Sequence, residues 1–364
     1  MTVLLLVAGL VLLVVGGEVL VRGAGTIATS AGISPLVVGL TVVSFATSAP
    51  ELAVTLQASA AGSPGLAVGN VVGSNVVNIL LVLGVAGLIL PLAVRAAVVR
   101  RDVPVMIGLT LLFWVMSLDG AVSTADGAVL VLLLAAYVVW TVVGSRRADG
   151  EPTAPEASQP GGLVASVVMV AVGVAMLVLG ARALVSAATD IASALGLSDT
   201  VIGLTVVAIG TSLPELATSV LAALRGKVEM AVGNAIGSNI FNIGAVMGLT
   251  SVVADGGVPV DAAAVAFDLP VMVAAAFVVL PIVVTGFTVA RWEAGLFLAY
   301  YAAYVAYLLL DSAGHDALPR FSAVMLWFVL PLSALTLVVL ATYELGVRRR
   351  SDLGEPSPRR TPRR

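Results

Sequence analysis

Apolar residues in this chain run in long unbroken stretches, interrupted by short polar or glycine-containing connections. Stretches approaching the roughly 20 residues needed to cross a bilayer fall at about 2–30, 34–58, 64–92, 103–118, 124–144, 162–190, 197–223, 229–253, 265–286, 291–311 and 321–345. That pattern predicts eleven transmembrane helices. Strands of a membrane barrel would instead be roughly 10-residue alternating segments, which are not seen. Composition agrees: 60% of residues are hydrophobic and 11% charged, with a mean hydropathy of +1.12, which excludes a water-soluble globule. No basic segment precedes the first stretch, MTVLLLVAGLVLLVVGGEVLVRG, so it is expected to be the first mature span rather than a cleaved signal. Cysteine is absent, removing disulfides, thiolate metal sites and cysteine nucleophiles.

Two polar sentences recur within this apolar background. TVVSFATSAPEL at 41–52 matches TVVAIGTSLPEL at 205–216, and AVGNVVGSNVVNI at 67–79 matches AVGNAIGSNIFNI at 231–243, both at an offset of 164. The chain is therefore a duplication, and because the repeated part is polar it points at the working site. Residues 145–162, SRRADGEPTAPEASQPGG, form the one clearly hydrophilic interior stretch and are expected to be a cytoplasmic linker. Five spans precede it and five follow before residue 312, giving a first repeat over 1–144 and a second over 163–311. An odd number of spans per repeat makes the two copies enter the membrane from opposite sides, an inverted-topology architecture found mostly in transporters. The remainder is expected to be an extra helix within 312–345 and a disordered basic cytoplasmic tail over 346–364. With the N-terminus outside, 16 of the 18 basic residues fall on the cytoplasmic side, leaving Arg182 and Arg320 outside. The positive-inside rule thus selects N-out, C-in with eleven spans, in a cell membrane.

The repeated sentences carry the chemistry. Glu51 and Glu215 lie within the second and seventh spans, where an ionised side chain costs about 2.5–3.5 kcal/mol on insertion scales and is a functional candidate by default. Pro50 and Pro214 precede them and have no N–H, so the Ala46 and Gly210 carbonyls lose their intrahelical donors. Thr47, Ser48, Thr211 and Ser212 add oxygen on the same turns. In the second sentence Ser74 and Asn78, and likewise Ser238 and Asn242, stand four apart on one helix face. This inventory holds no sulfur and no imidazole. Oxygen-only ligation suits Ca²⁺, which takes about 6–8 oxygens at about 2.3–2.6 Å, or Na⁺, and disfavours zinc and copper. Two glutamates neutralise one divalent cation, whereas an empty site holds two like charges in low dielectric. An unloaded carrier is therefore expected to resist crossing, which makes exchange obligatory.

The strings GLTVVSFATSAPE with GNVVGSNVVN, and GLTVVAIGTSLPE with GNAIGSNIFN, resemble the two α-repeats of the cation/calcium exchanger superfamily, in its prokaryotic sodium/calcium exchanger branch. The resemblance covers spans one to ten. It implies two inverted five-helix repeats with Ca²⁺ between the glutamates matching Glu51 and Glu215, completed by backbone carbonyls matching Thr47 and Thr211. It further implies flanking Na⁺ sites at groups matching Ser48, Ser74, Ser212 and Ser238, with backbone carbonyls at Ser44 and Ala208. Spans one and six resemble the long helices that slide across the core. Three Na⁺ for one Ca²⁺ would move one net charge per cycle, worth about 2.3 kcal/mol per 100 mV. The chain departs from family members that place an aspartate at one amide position, since Asn78 and Asn242 are both neutral; two carboxylates rather than three argue against potassium co-transport. The linker has no room for the cytosolic Ca²⁺-sensing domains of animal exchangers.

Blander roles suit other polar residues. Asn70, Asn75, Asn234 and Asn239 are expected to glue helices together rather than bind ions. Glycines at 9, 16, 17, 23, 25, 173 and 180 suit either sliding surfaces or close packing. Glu18 and Arg22 are expected to pair across one turn, Arg182, Asp268 and Glu293 to snorkel or pair locally, and His315 to lie in an exposed outer loop. The resulting expectation is a secondary antiporter exchanging Ca²⁺ for Na⁺. Its partners are those ions and the bilayer, with no cofactor, no nucleic acid and no obligatory protein partner. The alternatives are a Ca²⁺/H⁺ antiporter of the same fold, a cation channel, or an intramembrane aspartyl protease, whose chemistry the surrounding hydroxyls and freed carbonyls serve poorly.

Overall fold

In a computed structural model, residues 2–148, 163–194, 208–284 and 287–332, and beyond these 335, 336, 338, 339 and 342, are described. Helix occurs in every one of the eleven expected stretches. We number these α1 (Thr2–Ala31), α2 (Pro35–Ala60), α3 (Pro64–Ile89), α4 (Val103–Met116), α5 (Thr124–Ala148), α6 (Leu163–Ala194), α7 (Leu213–Leu224), α8 (Val228–Val253), α9 (Leu269–Val284), α10 (Arg291–Ser312) and α11 (Leu318–Val324). Among the described residues, seven helices, α1, α2, α3, α5, α6, α8 and α10, are long and apolar enough to cross a membrane. The expected linker is helical through Ala148. Its residues 149–162, the tail 346–364 and the start of the seventh stretch up to 207 lie outside the described residues.

Burial separates an inner set from an outer set. In the most apolar stretch of α8, 78% of residues are buried, and in α3 72%, against 22% in α6 and α10. The inner helices are the ones carrying the duplicated polar sentences, so the polar site is wrapped by apolar helices whose outer faces suit lipid. Val7, Leu10 and Val14 of α1 and Val164, Val168 and Val172 of α6 are exposed accordingly.

Glycine explains how α1 and α6 meet. Gly9, Gly16 and Gly23 recur every seven residues along α1, and Ser166, Gly173 and Gly180 do so along α6. A seven-residue repeat keeps one seam facing a partner helix. The two helices run antiparallel in close backbone contact, with Gly9 against Gly180, Gly16 against Gly173 and Gly23 against Ser166. A Cβ on Gly173 would come within 2.8 Å of the Gly16 carbonyl oxygen and 2.7 Å of the Leu20 nitrogen. Small residues are what permit that approach. Gly9, Gly16, Gly23, Gly173 and Gly180 therefore lie in the close packing of these helices on one another, whereas Gly17 faces Leu221 and Ala217 of α7 and Gly25 faces Lys227.

Two short antiparallel ladders add strand pairing to the expected all-helical fold. Leu92–Ala93, between α3 and α4, pairs with Thr288–Val289, between α9 and α10. Ala121–Val122, between α4 and α5, pairs with Val258–Pro259, between α8 and α9. Each ladder is extended by one more bond, from Val94 N–H to Phe287 O and from Val260 N–H to Gly120 O, both 2.8 Å. Connections from the first half are thus tied to connections from the second.

Candidate functional site

α2 is broken at Ser48, whose ψ of 1° is not helical, and the chain restarts with Pro50 in the first turn of a new helical segment. The same event recurs at Ser212, with ψ of 7°, and Pro214. Proline is at home in a first turn, where its missing N–H was never going to be used. The break is bridged by Ser48 N–H to Ser44 O at 2.9 Å and Leu52 N–H to Ser48 O at 3.1 Å. Each glutamate therefore sits in the opening turn of a fresh helix, where the macrodipole favours negative charge. The sequence marked the prolines as sources of freed carbonyls; the structure adds this helix N-terminus beside each carboxylate.

Both carboxylates are fully buried. Ser212 stands beside Glu51, as does the Glu215 carboxylate, while Thr47 and Ser48 stand beside Glu215. Each glutamate thus faces the hydroxyl turn of the other copy. Backbone packing repeats the exchange: the segment carrying Glu51 packs against the Asn242 turn, and α7 against the Asn78 turn. Both asparagines open π-helical turns, Asn78–Val82 and Asn242–Met247, a distortion frequently found at functional sites.

Hydrogen-bond accounting sharpens this locus. Among the described residues, both oxygens of Glu51 and Glu215, the hydroxyls of Ser48, Ser74 and Ser212, and the side-chain amides of Asn78 and Asn242 are buried without a partner in hydrogen-bond geometry. Buried polar groups are normally paired, so this concentration of unpaired oxygens on the duplicated motifs sets the locus apart as the candidate site. Other expected residues are committed differently. The Thr47 hydroxyl donates to Val43 O at 3.1 Å and reaches Asn234 Oδ1 at 3.3 Å and Ser238 Oγ at 3.5 Å, leaving its carbonyl as the group on offer. Ser44 donates its hydroxyl to Gly39 O at 2.7 Å and Asn234 O at 3.1 Å. Its carbonyl already takes the Ser48 N–H, so Ser44 is the most fully engaged of the expected ligands. Ala208 and Thr211 open and close the single turn before the Ser212 break.

Asn70 and Asn234 act as braces. Asn70 Nδ2 donates to Glu51 O at 3.2 Å and Thr55 Oγ1 at 2.9 Å; Asn234 Nδ2 donates to Glu215 O at 3.3 Å and Ser219 Oγ at 2.9 Å. These bonds join helices, as expected. Asn75 Nδ2 reaches Met272 Sδ on α9, and Asn239 bonds within its own helix. Thr55 and Ser219 were missed, although a visible signal existed: hydroxyl residues recur four positions after each glutamate. Away from this locus, Glu18 pairs with Arg22 and also with Arg225, at 2.9 Å, and the exposed His315 accepts the Ala317 N–H at Nδ1.

The family model described as "Sodium/calcium exchanger protein" matches residues 1–143 and 165–310. The chain belongs to that family. Its members are exchangers rather than enzymes, and the chain is a multi-pass membrane protein. Relatives include a putative antiporter, CaxA, of Alkalimonas amylolytica, 42% identical over 75% of this chain and 86% of its own length. Another is the sodium/calcium exchanger MaX1 of Methanosarcina acetivorans, 34% identical over 84% of this chain and 97% of its own length. Among solved structures, the sodium-calcium exchanger NCX_Mj superposes with a TM-score of 0.73 at 34% identity, covering 84% of this chain and 98% of that one.

Proposed function

We propose that this chain is a secondary antiporter that exchanges Ca²⁺ for Na⁺ by alternating access, through one composite site formed by both copies of the duplication. The observation that carries this reading is the cluster of unpartnered oxygens around Glu51 and Glu215, each facing the other copy's Ser-Pro break. Two carboxylates balance one Ca²⁺ or two Na⁺, and hydroxyl, amide and carbonyl oxygens complete a hard-cation shell. Ser74 and Ser238, Asn78 and Asn242, and the carbonyls of Thr47, Thr211, Ser44 and Ala208 are the further ligands in this reading. The names of MaX1 and NCX_Mj support the ion pair.

The same reading includes eleven spans, an inverted repeat, an outside N-terminus and a cytoplasmic C-terminus. It is supported by the two ladders, which join connections that an alternating path puts on the same side, third with ninth and fourth with eighth. The family match also divides into two blocks around residues 144–164. Because the chain has no cysteine, single cysteines placed at Asp119 and Arg100 report sidedness directly: the first is expected to be labelled from outside and the second only after permeabilisation.

Ca²⁺ uptake into proteoliposomes preloaded with Na⁺, K⁺ or a pH gradient tests the function. Uptake is expected with internal Na⁺ and to be abolished in Glu51→Gln/Glu215→Gln. Uptake at the same rate without any counter-ion gradient, or at wild-type rate in the double variant, defeats exchange at this site. Uptake driven by the pH gradient alone replaces Na⁺ with H⁺.

A further inference from the structure

A second locus lies apart from the glutamates, where α9, α10 and α11 meet around a cavity of about 440 Å³. Three tyrosines line it from α10. Tyr300, Tyr304 and Tyr307 fall at i, i+4 and i+7, so their rings share one face; Phe267 stands opposite, stacked on Tyr307 with centroids 4.1 Å apart. Met325 and Leu326, on the helical turns continuing α11, close the other wall.

Two carboxylates border this aromatic wall. Asp268 directly follows Phe267, and Asp311 lies one helical turn beyond Tyr307. Asp268 is close enough to act electrostatically on Asp311, Tyr304 and Tyr307, and Asp311 on Tyr307. Among the described residues neither makes an ion pair or a hydrogen bond, and Arg320, next to the cavity-lining Phe321, is exposed and unpaired with them. Asp268 is half-buried and Asp311 exposed, and carboxylates at the end of a wall of electron-rich rings are unfavourable neighbours for a bare lipid chain and favourable ones for a cation. The cavity is within the size range of sites for small organic ligands.

We propose that this cavity is a binding site for an amphipathic organic cation, its apolar body between the tyrosines and α11 and its positive head at Asp268 and Asp311. The site lies outside the duplicated motifs and does not depend on the exchange reading. Tetraphenylphosphonium and tetraphenylborate, equal in shape and opposite in charge, provide the test on the purified full chain in nanodiscs of zwitterionic lipid, with empty discs as background. Tetraphenylphosphonium is expected to bind saturably and tetraphenylborate not. Affinity is expected to fall about tenfold in Asp268→Asn/Asp311→Asn and in Tyr304→Leu, and to stay within about twofold in Tyr304→Phe, which keeps the ring. Glu51→Gln/Glu215→Gln is expected to leave it unchanged. Equal saturable binding of tetraphenylborate overturns the proposal by showing an apolar groove indifferent to charge, a result that needs no variant to fold. Undiminished tetraphenylphosphonium binding in the double aspartate variant, or its loss in the double glutamate variant, overturns it equally.

Discussion

Gly173→Ala tests the seam between α1 and α6 against a matched control. The new Cβ would meet the Leu20 nitrogen at 2.7 Å and the Gly16 carbonyl oxygen at 2.8 Å. Both are backbone atoms of a 30-residue helix, so relief requires moving the whole helix. Overpacking of this kind costs about 1–3 kcal/mol, against which alanine returns about 0.5–1 kcal/mol of helix propensity. Gly108→Ala on α4 supplies the propensity gain alone, since Gly108 is exposed and a Cβ there meets nothing within 4 Å among the described residues. The difference between the variants therefore isolates the contact. At less than the about 2–4 °C per kcal/mol of chains of about 150–250 residues, Gly173→Ala should still melt measurably below Gly108→Ala when followed by tryptophan fluorescence in detergent. Gly16→Ala faces the same spot, so adding it to Gly173→Ala should cost less than the sum of the singles, because the seam has already been prised apart. Equal melting of Gly173→Ala and Gly108→Ala would refute the close approach.

The braces should be separable from the ligands: Asn234→Ala removes bonds to Glu215 O, the Ser219 hydroxyl and the Thr47 hydroxyl while keeping the backbone carbonyl that Ser44 uses, whereas Asn70→Ala removes only those to Glu51 O and Thr55. Ca²⁺ affinity by titration calorimetry should therefore fall more in Asn234→Ala, and the reverse order would show the brace reading wrong. Asn242→Asp adds a third carboxylate to the site and should tighten Ca²⁺ binding relative to Na⁺ while slowing exchange; unchanged ion preference would place residue 242 outside the cage. Gly257 has φ of +89° and abuts the Val122 carbonyl and Ser123 backbone, so Gly257→Ala should destabilise by about 1–3 kcal/mol, visible as a lowered melting temperature.

Much of this molecule was legible because membrane chains write their structure in long runs. Helix positions followed from hydropathy alone, and the candidate site was picked out by polar residues that an apolar environment penalises unless they work. What was not legible depended on geometry between distant segments. The dipeptide ladders at Leu92–Ala93 and Ala121–Val122 are too short to leave an alternating pattern. The α1–α6 seam was visible as glycines but not as a pairing, because a seven-residue repeat does not say which helix it faces. Asn78 and Asn242 were read as one helix face with Ser74 and Ser238, yet each begins a π-helical turn, and periodicity of 3.6 cannot announce a local change of period. The cavity at Tyr304 escaped notice because tyrosines on a transmembrane helix read as interfacial anchors until α9 and α11 are placed beside them.

The exchange of partners between copies has a consequence for how such a site must work. A glutamate at a helix N-terminus is partly compensated by its own dipole, so each half-site alone tolerates its charge. Bringing both carboxylates together undoes that compensation through their mutual repulsion, which a bound cation or a proton relieves. Because Glu51 faces Ser212 while Glu215 faces Thr47 and Ser48, neither glutamate keeps its neighbouring oxygens if the halves separate. A ligand held by the closed cage therefore stabilises one arrangement of both repeats by the amount it prefers that arrangement, which is the differential affinity any ion-driven conformational change requires. Had each glutamate been served by its own copy's serine and threonine, two independent sites would result, and binding at one would exert no leverage on the other. In the proposed exchange reading, the swap is what would make a duplicated motif into a single coupled device.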